Sequence, residues 1–166
     1  MREDLRDLST KDTKERKEYL VRKIETGEFR MKYGTTSPGS RSEGLIYKQE
    51  CFDIVGAAIQ VHRTLSPGFS EPIYQESLEI ELAHRKIPNV PHQRMSILYR
   101  DQELESYFKP DFVCYNKIIV EIKALKNLSN LEISQTLNYL KISNFRLGIL
   151  INFGSYGKLE WKRIVL

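Results

Sequence analysis

The chain has 166 residues, enough for one domain with a substantial apolar core and too few for two. Hydrophobic residues make up 40% of it and charged residues 29%, a balance that excludes an integral membrane protein and a wholly disordered one. There is no membrane-length apolar run and no signal-peptide pattern, and two cysteines suggest no disulfide framework, so a cytoplasmic protein is expected. The formal net charge of +4 fits a polyanionic partner, and a diffuse excess of this size could equally favour solubility alone.

Two polar segments precede the apolar part of the chain. Residues 1–33 mix acidic and basic side chains and carry only a weak apolar stripe. Residues 34–44 are rich in Gly, Ser, Thr and Pro, a composition typical of a linker. We therefore predict a flexible, charged arm and linker over residues 1–44 and a folded domain over residues 45–166.

Two helices are predicted at the start of this domain. The first runs from about residue 48 to 65, and the second follows Ser70, a suitable N-cap, with Pro72 in its first turn. Residues spaced by three and four form one stripe of the second helix: Glu71, Tyr74, Leu78 and Leu82. An unpaired carboxylate at the start of an inward-facing stripe is unusual, although Glu71 could also be a favourable first-turn charge.

Three strands are predicted next, near residues 93–100, 104–115 and 118–124. The last of them is short and rich in β-branched residues. Because side chains alternate between the two faces of a strand, Glu121 and Lys123 share a face.

Asp111 begins the apolar end of the preceding strand, and Asn116–Lys117 can form a tight turn between the two strands. If these strands pair as a hairpin, Asp111 returns beside Glu121 and Lys123. Converging carboxylates repel each other unless a cation lies between them, and hard oxygen ligands favour Mg²⁺ or Mn²⁺. A neighbouring lysine can position water or stabilise charge on a phosphate. The alternative is an edge hairpin whose charges form exposed ion pairs.

A third helix is predicted after the strands. One stripe of it comprises Leu128, Leu131, Gln135, Tyr139 and Ile142. Gln135 and Tyr139 lie one turn apart and bring polar ends to an otherwise apolar face, although each could be an ordinary buried side chain. Strands near 146–152 and 159–165 complete the order α-α-β-β-β-α-β-β, which predicts helices packed on a central mixed sheet.

Four motifs occur in a fixed order along the domain: Gly68-x-x-Glu71-x-x-Tyr74, Pro110-Asp111, Glu121-x-Lys123 and Gln135-x-x-x-Tyr139. Together they resemble the GxxExxY protein family, in the RecB-like branch of the PD-(D/E)XK nuclease superfamily. The likeness runs from about Leu45 to the C-terminus. It implies an α/β (α+β) fold with a restriction-endonuclease-like core, in which helices flank a central mixed β-sheet.

The resemblance also implies a role for each motif residue. The implied ligands of Mg²⁺ or Mn²⁺ are Asp111, Glu121, the backbone carbonyl of Ile122, and Glu71, directly or through water. Lys123 matches the catalytic lysine, which acts together with the three acids. Gln135 and Tyr139 match a motif that orients the site and contacts substrate phosphate.

The expected function is therefore metal-dependent hydrolysis of phosphodiester bonds, with DNA as the partner. A catalytically silent module that binds nucleic acid or protein on the same fold remains the alternative. A small-molecule metal hydrolase is less favoured, because His62, His84 and His92 are scattered and are interpreted as structural or exposed. The sequence leaves the oligomeric state open.

Overall fold

The computed structural model describes residues 45–166. The arm and linker predicted for residues 1–44 lie outside the described residues. None of the helices in the described part of the chain is long and apolar enough to cross a membrane.

Three helices and seven strands form the described structure. In chain order they are α1 (Lys48–Leu65), α2 (Glu71–His84), β1 (Asn89–Pro91), β2 (Met95–Tyr99), β3 (Gln102–Phe108), β4 (Phe112–Cys114), β5 (Ile118–Lys123), α3 (Asn130–Ser143), β6 (Leu147–Asn152) and β7 (Glu160–Val165). The central sheet has the order β1-β4-β5-β6-β7, and β2 and β3 form a separate two-stranded sheet. Only β5 and β6 pair in parallel, so the central sheet is mixed, as predicted.

The middle of the central sheet is covered on both faces. On one face, Ile118, Val120 and Ile122 of β5 pack in the core cluster that includes residues of α1 and α2. On the other, Ile119 packs in a smaller cluster with Leu140 of α3. Strands buried on both faces are near-continuous apolar runs, as β5 and β6 are. The alternation of β5 therefore points Glu121 and Lys123 towards the α3 side of the sheet.

The strand prediction over residues 104–115 was wrong in one respect, because the segment forms two strands, β3 and β4, that belong to different sheets. The break lies at Pro110, which has no backbone N–H to donate to a sheet ladder. The three-residue strand β1 was not predicted. The tight turn was also misplaced by one residue: its central residues are Tyr115 and Asn116, both with positive φ, and Lys117 N donates to Cys114 O at 3.1 Å.

The packed face of α3 also differs from the predicted stripe. Leu131 is 73% exposed and Ile142 is exposed too, whereas Thr136 and Leu140 are fully buried. The helix approaches the sheet most closely at Gly148 of β6, where an added Cβ would lie 2.6 Å from Thr136 Cγ2. Because Gly148 has no side chain, α3 packs on the sheet through Thr136 and Leu140 rather than through the predicted stripe. Gln135 and Tyr139 therefore lie at the edge of the buried face of the helix.

Candidate active site

The hairpin of β4 and β5 brings Asp111 and Glu121 together. Phe112 pairs with Val120, so the next pair outward is Asp111 opposite Glu121. The Oδ2 atom of Asp111 accepts a hydrogen bond from the backbone N–H of Ile122 at 2.7 Å. The return of Asp111 beside the Glu-x-Lys motif, which the sequence suggested, is therefore present in the fold.

Glu121 is buried in this hairpin and only half satisfied. Glu121 is 3% exposed, and its Oε2 atom lies 3.5 Å from the Nζ atom of Lys123. Its Oε1 atom is also buried, and it has no hydrogen-bond partner among residues 45–166. A buried carboxylate oxygen without a partner is costly, and a cation or a proton is the natural way to satisfy it.

The three charged groups shift one another's pKa values. Burial and then the nearby Asp111 carboxylate raise the pKa of Glu121 to about 8, although Lys123 opposes this. Burial raises the pKa of Asp111 as well, against the Ile122 N–H, Lys123 and His92. Burial disfavours the charged form of Lys123, but Glu121, Asp111 and Glu71 outweigh it and raise the pKa of Lys123. With both acids ionised, the site would hold more negative charge than its lysine balances, and the raised pKa values of the two carboxyls reflect this.

Helix α2 supplies two polar side chains near this pair. Glu71 lies in its first turn and acts electrostatically on Lys123. Gln75 follows one turn later, and its Nε2 atom donates to the backbone carbonyl of Asp111 at 3.3 Å. The Oε1 atom of Gln75 is buried without a hydrogen-bond partner in the described part of the chain. Gln75 was missed from the sequence, although its spacing of four from Glu71 on one helix face was a usable signal.

The tyrosine of the Gly-x-x-Glu-x-x-Tyr motif has a structural position. The hydroxyl of Tyr74 donates to Ser66 O at 2.7 Å and accepts from Phe69 N at 3.2 Å. Its ring stacks on Phe153, with centroids 4.8 Å apart. Tyr74 thereby fixes the turn that leads into α2 and with it the position of Glu71.

Helix α3 brings Gln135 and Tyr139 to the same side of the sheet. The Nε2 atom of Gln135 donates to the Tyr139 hydroxyl at 2.6 Å. The Tyr139 ring stacks on Phe108, with centroids 4.6 Å apart and planes at 16°. Burial raises the pKa of Tyr139, Gln135 opposes this, and the Glu121 carboxylate adds to it, which indicates that the phenol lies within electrostatic reach of the site.

The end of β5 beyond Lys123 is held by Asn152, its partner on β6. The Oδ1 atom of Asn152 accepts from Leu125 N at 2.9 Å and from Gly154 N at 3.1 Å. Its Nδ2 atom donates to Glu160 at 2.9 Å. A fully buried amide with three hydrogen bonds keeps the chain after Lys123 in one conformation.

The donor set fits a divalent cation in part. The Asp111 and Glu121 carboxylates are hard oxygen ligands, and the unpartnered Oε1 atom of Glu121 suits such an ion. Within residues 45–166, however, no three His, Cys, Asp or Glu side chains converge as a metal-binding group. Glu71 therefore does not form a metal-binding group with Asp111 and Glu121, and its role as a ligand stays a prediction. The role of the Ile122 carbonyl as a ligand also stays a prediction.

The structure shows the surroundings of two of the three histidines. His62 is buried, and its Nε2 atom lies 3.0 Å from the carbonyl oxygen of Ser155, a structural contact. His92 lies close enough to Asp111 to act on its carboxylate, and its backbone N–H donates to the Asp111 carbonyl at 3.1 Å. The backbone of Asp111 is therefore held from two sides, by His92 and by Gln75.

Comparisons with known proteins bear on the family of the chain. None of the curated proteins matches the chain. Among solved structures, the crystal structure of SSO0001 is similar, with a TM-score of 0.46 and 16% sequence identity over 90% of this chain and 77% of that one. A family profile described as the PD-(D/E)XK nuclease superfamily matches residues 48–164. Since that match spans more than half of the chain, the protein belongs to the PD-(D/E)XK nuclease superfamily.

Proposed function

We propose that this protein is a divalent-metal-dependent nuclease of the GxxExxY family, in the RecB-like branch, and that it hydrolyses phosphodiester bonds in DNA. The observation that carries the proposal is the pairing of two carboxylates, the partly buried Asp111 and the buried Glu121, beside Lys123. Two ionised carboxylates this close together are unfavourable in isolation, and with the lysine they are suited to binding a cation and a phosphate.

Asp111 and Glu121, with the Ile122 carbonyl and Glu71 as further ligands, would hold Mg²⁺ or Mn²⁺. When bound, such an ion polarises the scissile phosphate and lowers the pKa of a bound water. Lys123 keeps its proton because three acids raise its pKa, so it binds as a cation beside the phosphate. It would orient the attacking water or stabilise charge that develops on the phosphate oxygens.

Gln135 and Tyr139 would bind the substrate backbone. Because the Gln135 amide donates to the Tyr139 oxygen, the hydroxyl proton of Tyr139 remains available for a phosphate oxygen. The stack of Tyr139 on Phe108 holds the ring in place. Substrate binding and orientation are thus assigned to α3, and cation binding to the hairpin.

The test is cleavage of single-stranded and double-stranded DNA and RNA by purified protein with Mg²⁺ or Mn²⁺, and with EDTA as the metal-free control. Asp111→Ala, Glu121→Ala and Lys123→Ala should each abolish cleavage while the protein still unfolds cooperatively. Arg146→Ala is the matched control, because Arg146 is exposed and immediately precedes β6. The first residue of β6, Leu147, lies about 16 Å along the strand from Asn152, which pairs with Lys123. Arg146→Ala should cleave as the wild type does.

A catalytically silent binding module is the second candidate. The observation that favours it is the absence of a three-ligand metal group in the part of the chain that the structure describes. Wild-type protein that binds nucleic acid but cuts none of the four substrates with either metal would establish this module and overturn the nuclease.

A further inference from the structure

The side chains of Arg94 and Lys109 both contact the ring of Tyr107, an exposed tyrosine at the end of the β2–β3 sheet. The guanidinium carbon of Arg94 lies 4.1 Å from the centroid of the Tyr107 ring, and the Nζ atom of Lys109 lies 5.2 Å from the same centroid. Tyr107 is 43% exposed, and both basic residues are exposed. Contacts of this length are cation–π interactions, which hold the two long side chains near one place on the surface.

The same strand connects this cluster to the candidate active site. Side chains alternate along β3, so Phe108 points away from the face of Tyr107 and packs against Tyr139 of α3. Lys109 precedes Asp111 by two residues and Tyr107 precedes it by four. At the maximum extension of a chain, their Cα atoms lie no more than about 7 Å and about 14 Å from that of Asp111.

The charge of the cluster is not balanced locally. No carboxylate of residues 45–166 lies within 4.0 Å of Arg94 or Lys109, although three other ion pairs occur there. Glu103 and Glu105 lie earlier on the strand face that carries Tyr107, so the basic surface is confined to the end of β3 nearest Asp111. Two cations held on one ring, with no ion pair to residues 45–166, are suited to a partner with closely spaced negative charges.

We propose that Arg94, Tyr107 and Lys109 form a phosphate clamp, which binds the sugar–phosphate backbone of the substrate strand next to the bond that is cut. This proposal rests on the proposed function, because the position of the clamp next to the cut bond assumes that cleavage takes place at Asp111. Tyr107 serves as the support that fixes both cations, so binding should depend on its aromatic ring as well as on the two charges.

The experiment measures binding of a fluorescently labelled DNA oligonucleotide to the full chain in EDTA, over a series of NaCl concentrations. Arg94→Ala and Lys109→Ala should each weaken binding about threefold to tenfold and lower the slope of log Kd against log salt by about 1. Tyr107→Leu should weaken binding although it removes no charge, and Tyr107→Phe should restore it. Arg146→Ala, which removes an exposed charge elsewhere, should leave the salt slope nearly unchanged.

Lys109→Gln and Arg94→Gln provide second variants that keep a long polar side chain, and thermal unfolding identifies any variant that has lost its fold. Variants of all three positions that bind DNA as tightly as Arg146→Ala would overturn the clamp, and so would wild-type protein that binds no DNA. A polyglutamate peptide that binds more tightly than DNA, with the same dependence on Arg94 and Lys109, would show an acidic protein partner instead. Wild-type protein that binds DNA through the clamp but does not cut it would overturn the proposed nuclease alone.

Discussion

The Gln135 amide donates to the Tyr139 hydroxyl at 2.6 Å, and this short bond decides the direction in which the phenol can act. An oxygen that already accepts a hydrogen bond from an amide directs its own proton elsewhere. Gln135 and Tyr139 therefore form one unit, in which the glutamine sets the orientation of the phenol proton.

We expect Tyr139→Phe to reduce DNA cleavage about 10-fold to 100-fold, because one donor to the phosphate is lost while the stack on Phe108 is kept. Gln135→Ala should reduce cleavage less, since the phenol remains but is less well oriented. Tyr156→Phe is the matched control, because Tyr156 is 81% exposed. Initial rates of oligonucleotide cleavage, together with melting temperatures, test this. Equal rates for Tyr139→Phe and Tyr156→Phe would contradict it.

The pKa of Glu121 makes stability in EDTA depend on pH. Its value in the folded state is about 8, above the usual 4.5, so the folded protein binds a proton that the unfolded chain has lost. The free energy of unfolding should therefore fall as the pH rises from about 4.5 to about 8. Glu121→Gln removes this loss, and because one pKa unit corresponds to about 1.4 kcal/mol, the gain at pH 8 should be at most about 4 kcal/mol.

Denaturant unfolding of wild type and Glu121→Gln at pH 5 and pH 8 measures this difference. Glu76→Gln, on α2, serves as the control carboxylate because Glu76 is exposed. The expected result is a small difference between Glu121→Gln and the wild type at pH 5 and a large one at pH 8. If Glu121→Gln is no more stable than the wild type at pH 8, the charged form of the buried Glu121 carboxyl group is stabilised by other groups of the protein.

The sequence predicted the local geometry of the site better than the long-range contacts around it. The alternation of β5 was sufficient to place Glu121 and Lys123 on one face, because the strand period is local. The role of Gln75 was not predictable in the same way, since its partner is a backbone carbonyl 36 positions away. The exposed position of Leu131 follows from the contact between Thr136 and Gly148, which also joins distant parts of the chain.

Gln75 should act through the position of Asp111. Gln75→Leu keeps much of the volume and removes one of the two donors to the Asp111 carbonyl, so we expect it to weaken the affinity for Mn²⁺ about 10-fold, as is usual for groups that orient metal ligands. Gln60→Leu is the control, because Gln60 is exposed on α1 and its Nε2 atom donates to Thr64. Isothermal titration with Mn²⁺ provides the measurement, and cleavage at saturating Mn²⁺ should recover most of its rate. Unchanged Mn²⁺ affinity would assign Gln75 to packing alone.

The N-terminal arm is predicted to be dispensable for folding. Residues 1–40 are highly charged and offer few apolar groups for burial, so their deletion should change the melting temperature of the remaining chain little. Differential scanning calorimetry of the full and truncated chains tests this. A broad transition or a large drop in melting temperature after truncation would show that the domain needs the arm.

The glycine at position 148 has a consequence for the evolution of activity in this fold. The gap between α3 and the sheet is narrower there than one methyl group, since a Cβ would meet Thr136 at 2.6 Å. Any larger residue forces either the Thr136 side chain or the helix that carries Gln135 and Tyr139 to move, while the acids and the lysine of the β4–β5 hairpin can stay in place. A change at Gly148 could therefore alter the site in a lineage although every residue of the recognisable motifs is intact.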